Sequence, residues 1–231
     1  MKIAFQKNKP WREHFLVANC YRWESVPDFI LEENCIVNRK SDGIATGFEN
    51  ASLVLKEPFT GDTHISVDCS FDAWGAPLIV IAEDLEKDAK GGYRYREYYE
   101  VVLYEEGVNV WRLTTDEENT VTWKKTMSVD FPVTAGDVHT LTVDIVGDTL
   151  EITADEHKMT VALPDMFSRY YIGIDACENI NRFYALSVSP IKKGGKTFVC
   201  SFCGYRHTGE TPPAKCPDCG IGPEKFILLE A

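Results

Sequence analysis

The chain has 231 residues, 44% of them hydrophobic and 12% aromatic, enough for one large core or for a medium and a small one, and too apolar for a disordered chain. Lys and Arg number 24 against 36 Asp and Glu, and the formal charge of -12 repels phosphate backbones and anionic lipid headgroups, so neither nucleic acid nor a membrane surface is an expected partner. The opening stretch carries Lys2, Lys7 and Lys9 where a secretory segment needs an unbroken apolar run, and nothing approaches the run of about 18 apolar residues of a membrane-spanning helix. A cytoplasmic location is the expectation.

In chain order, Pro10 to Phe15 reads as a short helical piece, and strands are predicted over 52–56, 64–71, 78–82, 95–105, 108–113 and 120–129. In the second of these Ile65, Val67, Cys69 and Phe71 share one parity, the core-facing set. Leu141, Val143 and Ile145 alternate with Thr142 and Asp144. Gly147-Asp148 turns the chain into Leu150, Ile152 and Ala154, and residues 155–158 turn it again into Met159, Val161 and Leu163, giving a three-stranded meander. A turn at Pro164 to Phe167 precedes two more strands, 170–176 and 182–189. So many short strands, with turn residues between them and little helical periodicity, indicate an all-β sandwich over residues 1–190.

The segments YYEVVLYEEGVNVWRL (98–113), HTLTVDIVGDTLEITAD (139–155) and YYIGIDACENINRFYALSV (170–188) resemble the laminin-G-like and concanavalin A-like jelly-roll sandwiches. The resemblance covers roughly residues 20 to 190 and implies a fold rather than an activity.

Sandwiches of this kind present a sheet face to ligands. Val101, Leu103, Val108 and Val110 supply the apolar side of the 95–113 hairpin, and the opposite parity carries Arg96, Tyr98, Glu100, Tyr104, Asn109 and Trp111. Flat rings mixed with hydrogen-bonding groups suit sugar hydroxyls and the C–H faces of sugar rings, so a carbohydrate ligand is expected there, with Trp74 as a second platform. A half-exposed sheet face can be polar with no ligand at all. Hydrolysis is not favoured, because no E-x-D-x-x-E or E-x-D-x-E run occurs and Glu100 and Glu105 have opposite strand parity. Asp175, Glu178 and Asn179 read as an acidic turn in which calcium is a weak alternative.

Ser189 to Lys196 breaks the apolar pattern with a proline, two glycines and three lysines, which places a linker at 191–196 and a small domain at 197–231. From Gly195 onward basic and acidic residues balance, so the negative excess belongs to the larger domain. Cys20, Cys35, Cys69 and Cys177 are scattered and read as free, mostly buried thiols. Cys200, Cys203, Cys216 and Cys219 form C-x2-C and C-x2-C pairs twelve residues apart, so that two loops can present four sulfurs to one tetrahedral metal. A segment below about 40 residues needs such a metal, disulfides or a partner to fold.

With GYRHTGE, Pro212-Pro213, KCPDCG and the trailing Lys225-Phe226, this segment resembles the short rubredoxin-like domain found at the C-terminus of rubrerythrins. The resemblance implies one iron held by Cys200, Cys203, Cys216 and Cys219, a one-electron couple, a shell of Phe198, Tyr205 and Phe226, and a redox partner protein. Zinc suits four thiolates equally well by chemistry and stays open as the alternative, and His207 reads as a loop residue beside a complete tetrahedron. Residues 1–190 lack the Glu and Glu-x-x-His periodicity of a di-iron helical bundle, so peroxide reduction does not carry over.

Overall fold

A computed structural model describes residues 1–19, 29–38, 51–87, 93–116, 120–191, 196–209 and 211–229. The chain divides into two compact units, Met1–Ile191 and Lys192–Ala231. Of the expected 191–196 linker, residues 192–195 lie outside the described residues, as does Cys20.

Among the described residues the first unit is built from two sheets, of eight and ten strands. The eight-stranded sheet runs His157–Ala162, Thr149–Ala154, His139–Val146, Thr63–Phe71, Asn181–Pro190, Ile36–Val37 and Ile30–Leu31, and Lys2–Ala4 also pairs with Asn181–Pro190, Ile3 lying opposite Leu186. The ten-stranded sheet places Val121–Asp130, Gly107–Thr115, Glu97–Tyr104, Ala76–Ala82, Arg169–Cys177 and Ala51–Leu55 side by side, then continues through Phe15–Asn19, Tyr93–Tyr95 and Leu85–Lys87, and Phe59–Thr60 also pairs with Arg169–Cys177. Its described neighbours are antiparallel except Tyr93–Tyr95, which runs parallel to Phe15–Asn19.

Alternation explains the layering. Ile65, Val67, Cys69 and Phe71 from one sheet face Ile79, Ile81, Val101, Leu103, Ile172 and Ile174 from the other in a single apolar core. Cys69 is fully buried, and desolvation pushes its thiol far above the usual range. Cys35 and Cys177 are likewise buried, and neither forms a disulfide.

The opposite parity of the ten-stranded sheet is also largely covered. Val54, Leu78, Val80, Ala82, Tyr98 and Leu113 form a second apolar cluster on its outer face with Tyr95, whose ring lies 5.2 Å from that of Tyr98. The Tyr95 hydroxyl shares a 2.7 Å hydrogen bond with Ser52 and lies over Gly173, where a Cβ would stand 2.9 Å from it. Glycine at 173 is what admits the ring. The two tyrosines thus fill one part of the outer face.

Three expectations change. Residues 95–105 are not one strand: the chain bends at Arg96, with Tyr93–Tyr95 paired on one side and Glu97–Tyr104 on the other. Pro10 to Phe15 yields only the 3-10 turn Trp11–His14, since Phe15 already begins a strand. Asp175 lies within the strand Arg169–Cys177, opposite Ser52 and Leu78, so it does not share a turn with Glu178 and Asn179 as a calcium loop would require.

The second unit is a three-stranded sheet with Lys196–Cys200 between Arg206–Gly209 and Phe226–Leu229. No helix among the described residues is long and apolar enough to cross a membrane.

Candidate functional site

Two loops of matching construction carry the four cysteines. In the first, the Cys200 N–H donates to the Tyr205 carbonyl and the Gly204 N–H returns to the Cys200 carbonyl, both at 2.9 Å. In the second, the Cys216 N–H donates to the Ile221 carbonyl and the Gly220 N–H to the Cys216 carbonyl, both at 2.8 Å. Gly204 and Gly220 have φ of 79° and 75°, the left-handed conformation that reverses the chain after each second cysteine.

The four sulfurs converge within 4.8 Å of one another, with Cys200 and Cys219 3.7 Å apart and Cys203 and Cys216 3.5 Å apart. Sulfurs about 2.3 Å from a common centre at tetrahedral angles would be about 3.8 Å apart, whereas a disulfide would bring two of them to about 2.05 Å. The set therefore has the dimensions of a metal site and not of bridges.

Its electrostatics agree. Burial opposes ionisation of Cys200, yet the N–H groups of Cys203 and Phe202 and the neighbouring thiols outweigh it and bring that thiol down to about 7. The Tyr205 N–H favours the Cys203 thiolate, but desolvation and the other three sulfurs push that thiol up to about 12. Four thiols this close cannot all ionise unless a cation sits among them. Cys200 and Cys216, the first cysteine of each pair, are buried, while Cys203 is exposed and Cys219 half-exposed. Phe202, beside Cys203, is 74% exposed. His207 belongs to the strand Arg206–Gly209, opposite Phe198, and is not one of the converging ligands.

The remaining part of the sandwich's outer face is open. A cleft of about 420 Å³ is lined by Leu78, Glu100, Val102 and Tyr104 and, from the next strand, Asn109 and Trp111. The register puts Glu100 opposite Trp111 and Val102 opposite Asn109. Glu100 is only 1% exposed. Glu105 and Glu106 line the same cleft, although strand parity would send Glu100 and Glu105 to opposite faces. Parity fails because the strand ends at Tyr104 and the two glutamates form the turn into Gly107–Thr115. Their carbonyls accept from the Val133 and Phe131 N–H groups, which pins the turn. Glu178, at φ 60° between Arg169–Cys177 and Asn181–Pro190, lines the cleft as well.

Glu100, Asn109 and Trp111 are thus brought together, and three other predicted residues are elsewhere. Arg96 sits at the bend, bonded to Glu86 at 2.6 Å and to the Asp116 carbonyl at 2.6 Å. Tyr98 is buried under the apolar cluster. Trp74, 46% exposed, lies beyond the end of the strand Thr63–Phe71, in a bend where Ala73 has φ 52°, so the strand's parity does not reach it. Parity alone does not bring Glu105 and Glu106 to the cleft, for which the Glu-Glu-Gly turn signal ahead of Val108 is the available clue, and Glu178 lines it from the segment read as an acidic turn.

A second cleft, of about 550 Å³, lies beside Phe131, His139 and His157. Both ring nitrogens of His139 are already engaged, by Asp155 at 2.7 Å and the Thr134 carbonyl at 2.8 Å, and His157 stacks on Phe131.

Comparison with known proteins separates the two units. Residues 198–227 match the rubredoxin-like domain of rubrerythrin. Reverse rubrerythrin-1 of Clostridium acetobutylicum is 56% identical over 35 residues, which are 15% of this chain and 19% of that protein. The chain therefore spans about a fifth of the curated relative's length. The sandwich has the jelly-roll fold. The carbohydrate-binding module CBM66 from Bacillus subtilis superposes with a TM-score of 0.52 at 13% identity, covering 75% of this chain and 99% of that one. A glycoside hydrolase family 16 endo-glucanase from Bacteroides ovatus superposes at 0.55 and 11% identity, covering 82% and 99%. Identities this low show a shared fold.

Proposed function

We propose that the rubredoxin-like domain holds one iron through Cys200, Cys203, Cys216 and Cys219 and passes single electrons, while the sandwich binds carbohydrate in its outer cleft. The observation that carries the first part is the convergence of four sulfurs within 4.8 Å on two matching loops, in a segment matching the rubrerythrin domain. Iron in such a site exchanges one electron between its ferric and ferrous forms. The chain's own groups supply the rest. Backbone N–H groups directed at Cys200, Cys203 and Cys219 stabilise negative charge on sulfur. The buried Cys200 and Cys216 limit water on one side, and the exposed Cys203 with Phe202 offers the other to a redox partner protein. Buried cysteines outside any disulfide at Cys35, Cys69 and Cys177 support a reducing, cytoplasmic setting.

Protein purified after growth with iron should be red, contain one iron per chain by elemental analysis, and bleach on addition of one reducing equivalent. Zinc alone in such a preparation would refute electron transfer. The carbohydrate reading rests on Trp111 and Tyr104 lining one cleft with Glu100 and Asn109. A glycan array should give a hit, and Trp111→Ala should weaken that ligand about tenfold or more. Unchanged affinity would remove the cleft from consideration.

A further inference from the structure

Resting on the carbohydrate reading, we propose that the cleft selects sugars bearing a protonated amine, such as oligomers of 2-amino-2-deoxyglucose, over their neutral counterparts. Four of the residues lining it are glutamates, and among the described residues none of the lining groups is a cation. Glu105 and Glu106 carry the argument. Their main chain is pinned through the Val133 and Phe131 N–H groups, and they stand side by side on the lip, half-buried and exposed respectively. Glu178 lines the cleft from another turn, and Glu100 lines it as well.

The aromatic lining points the same way independently of the acids. The Lys125 ammonium sits 4.8 Å from the centre of the Trp111 ring, so this ring already serves as a cation platform. A ligand amine can contact the ring in the same manner while the apolar face of its sugar lies along Trp111 and Tyr104 and its hydroxyls reach Asn109. Partial enclosure by Leu78 and Val102 strengthens the attraction between an ammonium and the lip carboxylates relative to open solvent. An acidic sugar would meet repulsion from the same groups, and a neutral one could donate hydroxyl hydrogen bonds to them but would lack the charge–charge attraction.

Three tetrasaccharides that differ only at C2 provide the test on the full chain: chitosan tetraose (amine), chitotetraose (acetamide) and cellotetraose (hydroxyl). Calorimetric titration at pH 6 should show the amine form binding roughly tenfold more tightly than either other, with the advantage shrinking as salt rises from low to about 0.5 M. In a Glu105→Gln, Glu106→Gln double variant the preference should fall below about threefold. Both substitutions lie on the rim, and an unchanged thermal transition would verify the fold. Equal binding of all three sugars, or a salt-independent preference, would overturn the amine proposal and leave the carbohydrate reading standing. Binding of none would overturn both. A strong preference that survives the double variant would exclude these carboxylates as its source.

Discussion

The sandwich buries Phe5, Ile65, Ile174 and Phe183 almost completely between two sheets, whereas the rubredoxin-like domain leaves Ile227, Leu228, Leu229 and Phe202 exposed and closes around four sulfurs. One unit is held by the removal of apolar surface from water, the other by a cation that its own sequence must recruit. The contrast teaches where each is vulnerable. A side-chain truncation in the sandwich leaves a cavity but the sheet remains, while loss of a single sulfur from the small unit removes the interaction around which everything else is arranged.

The largest expected effect is therefore Cys216→Ser, or removal of the metal by a strong chelator. Amide exchange at Phe198 to Cys200 should accelerate to near unfolded rates while Ile65 and Val67 stay protected, because structural metal binding of this kind contributes on the order of 10 kcal/mol. If both units melted together the comparison would break. Next comes Phe183→Ala, which empties a fully buried ring site packed edge-on against Phe29. Chemical denaturation should show the sandwich losing about 3–5 kcal/mol, with amide exchange in the small unit unmoved. Gly173→Ala would force a Cβ to within 2.9 Å of both the Leu53 carbonyl and the Tyr95 hydroxyl. A loss of about 1–3 kcal/mol is expected, and Tyr95→Phe in the same chain should relieve little of it, since the Leu53 carbonyl cannot withdraw. Smallest is Asp72→Asn, which weakens a 2.7 Å ion pair with Arg182. The hydrogen bond that Arg182 donates to Asp72 is the leading cause holding its guanidinium above the usual range, but the pair is partly exposed, so less than about 1 kcal/mol should be lost and salt should mask most of it.

The same contrast governs how much could be read in advance. The sulfur quartet was legible because everything it needs is local: two C-x2-C pairs and a glycine after each set the loop hydrogen bonds without help from distant residues. The central strands were legible for a similar reason, since Leu141, Val143 and Ile145 carry a full alternation against a solvated face. Strands such as Ile36–Val37, Ile30–Leu31 and Lys2–Ala4 were not, because two or three residues hold too little pattern and owe their form to a neighbouring strand. Alternation also misled wherever the backbone left the sheet. It ran through Arg96, where the chain changes neighbours, and past Tyr104 and Phe71, where turns carry Glu105, Glu106 and Trp74 to positions that parity does not govern. The outer cleft was half legible: Glu100, Asn109 and Trp111 meet as their spacing implied, but Tyr98 is sealed by Tyr95, a contact that depends on the absence of a side chain at residue 173.

The pairing of Lys2–Ala4 with Asn181–Pro190 has a consequence for biosynthesis. Lys2–Ala4 leaves the ribosome about 180 residues ahead of the strand it pairs with, so it waits, without that partner, while most of the sandwich is translated. The cysteine loops, separated by a dozen residues, can close as soon as they emerge. Metal capture and sheet completion are then close in time, and shortage of the ion would strand a finished sandwich beside an unfolded tail.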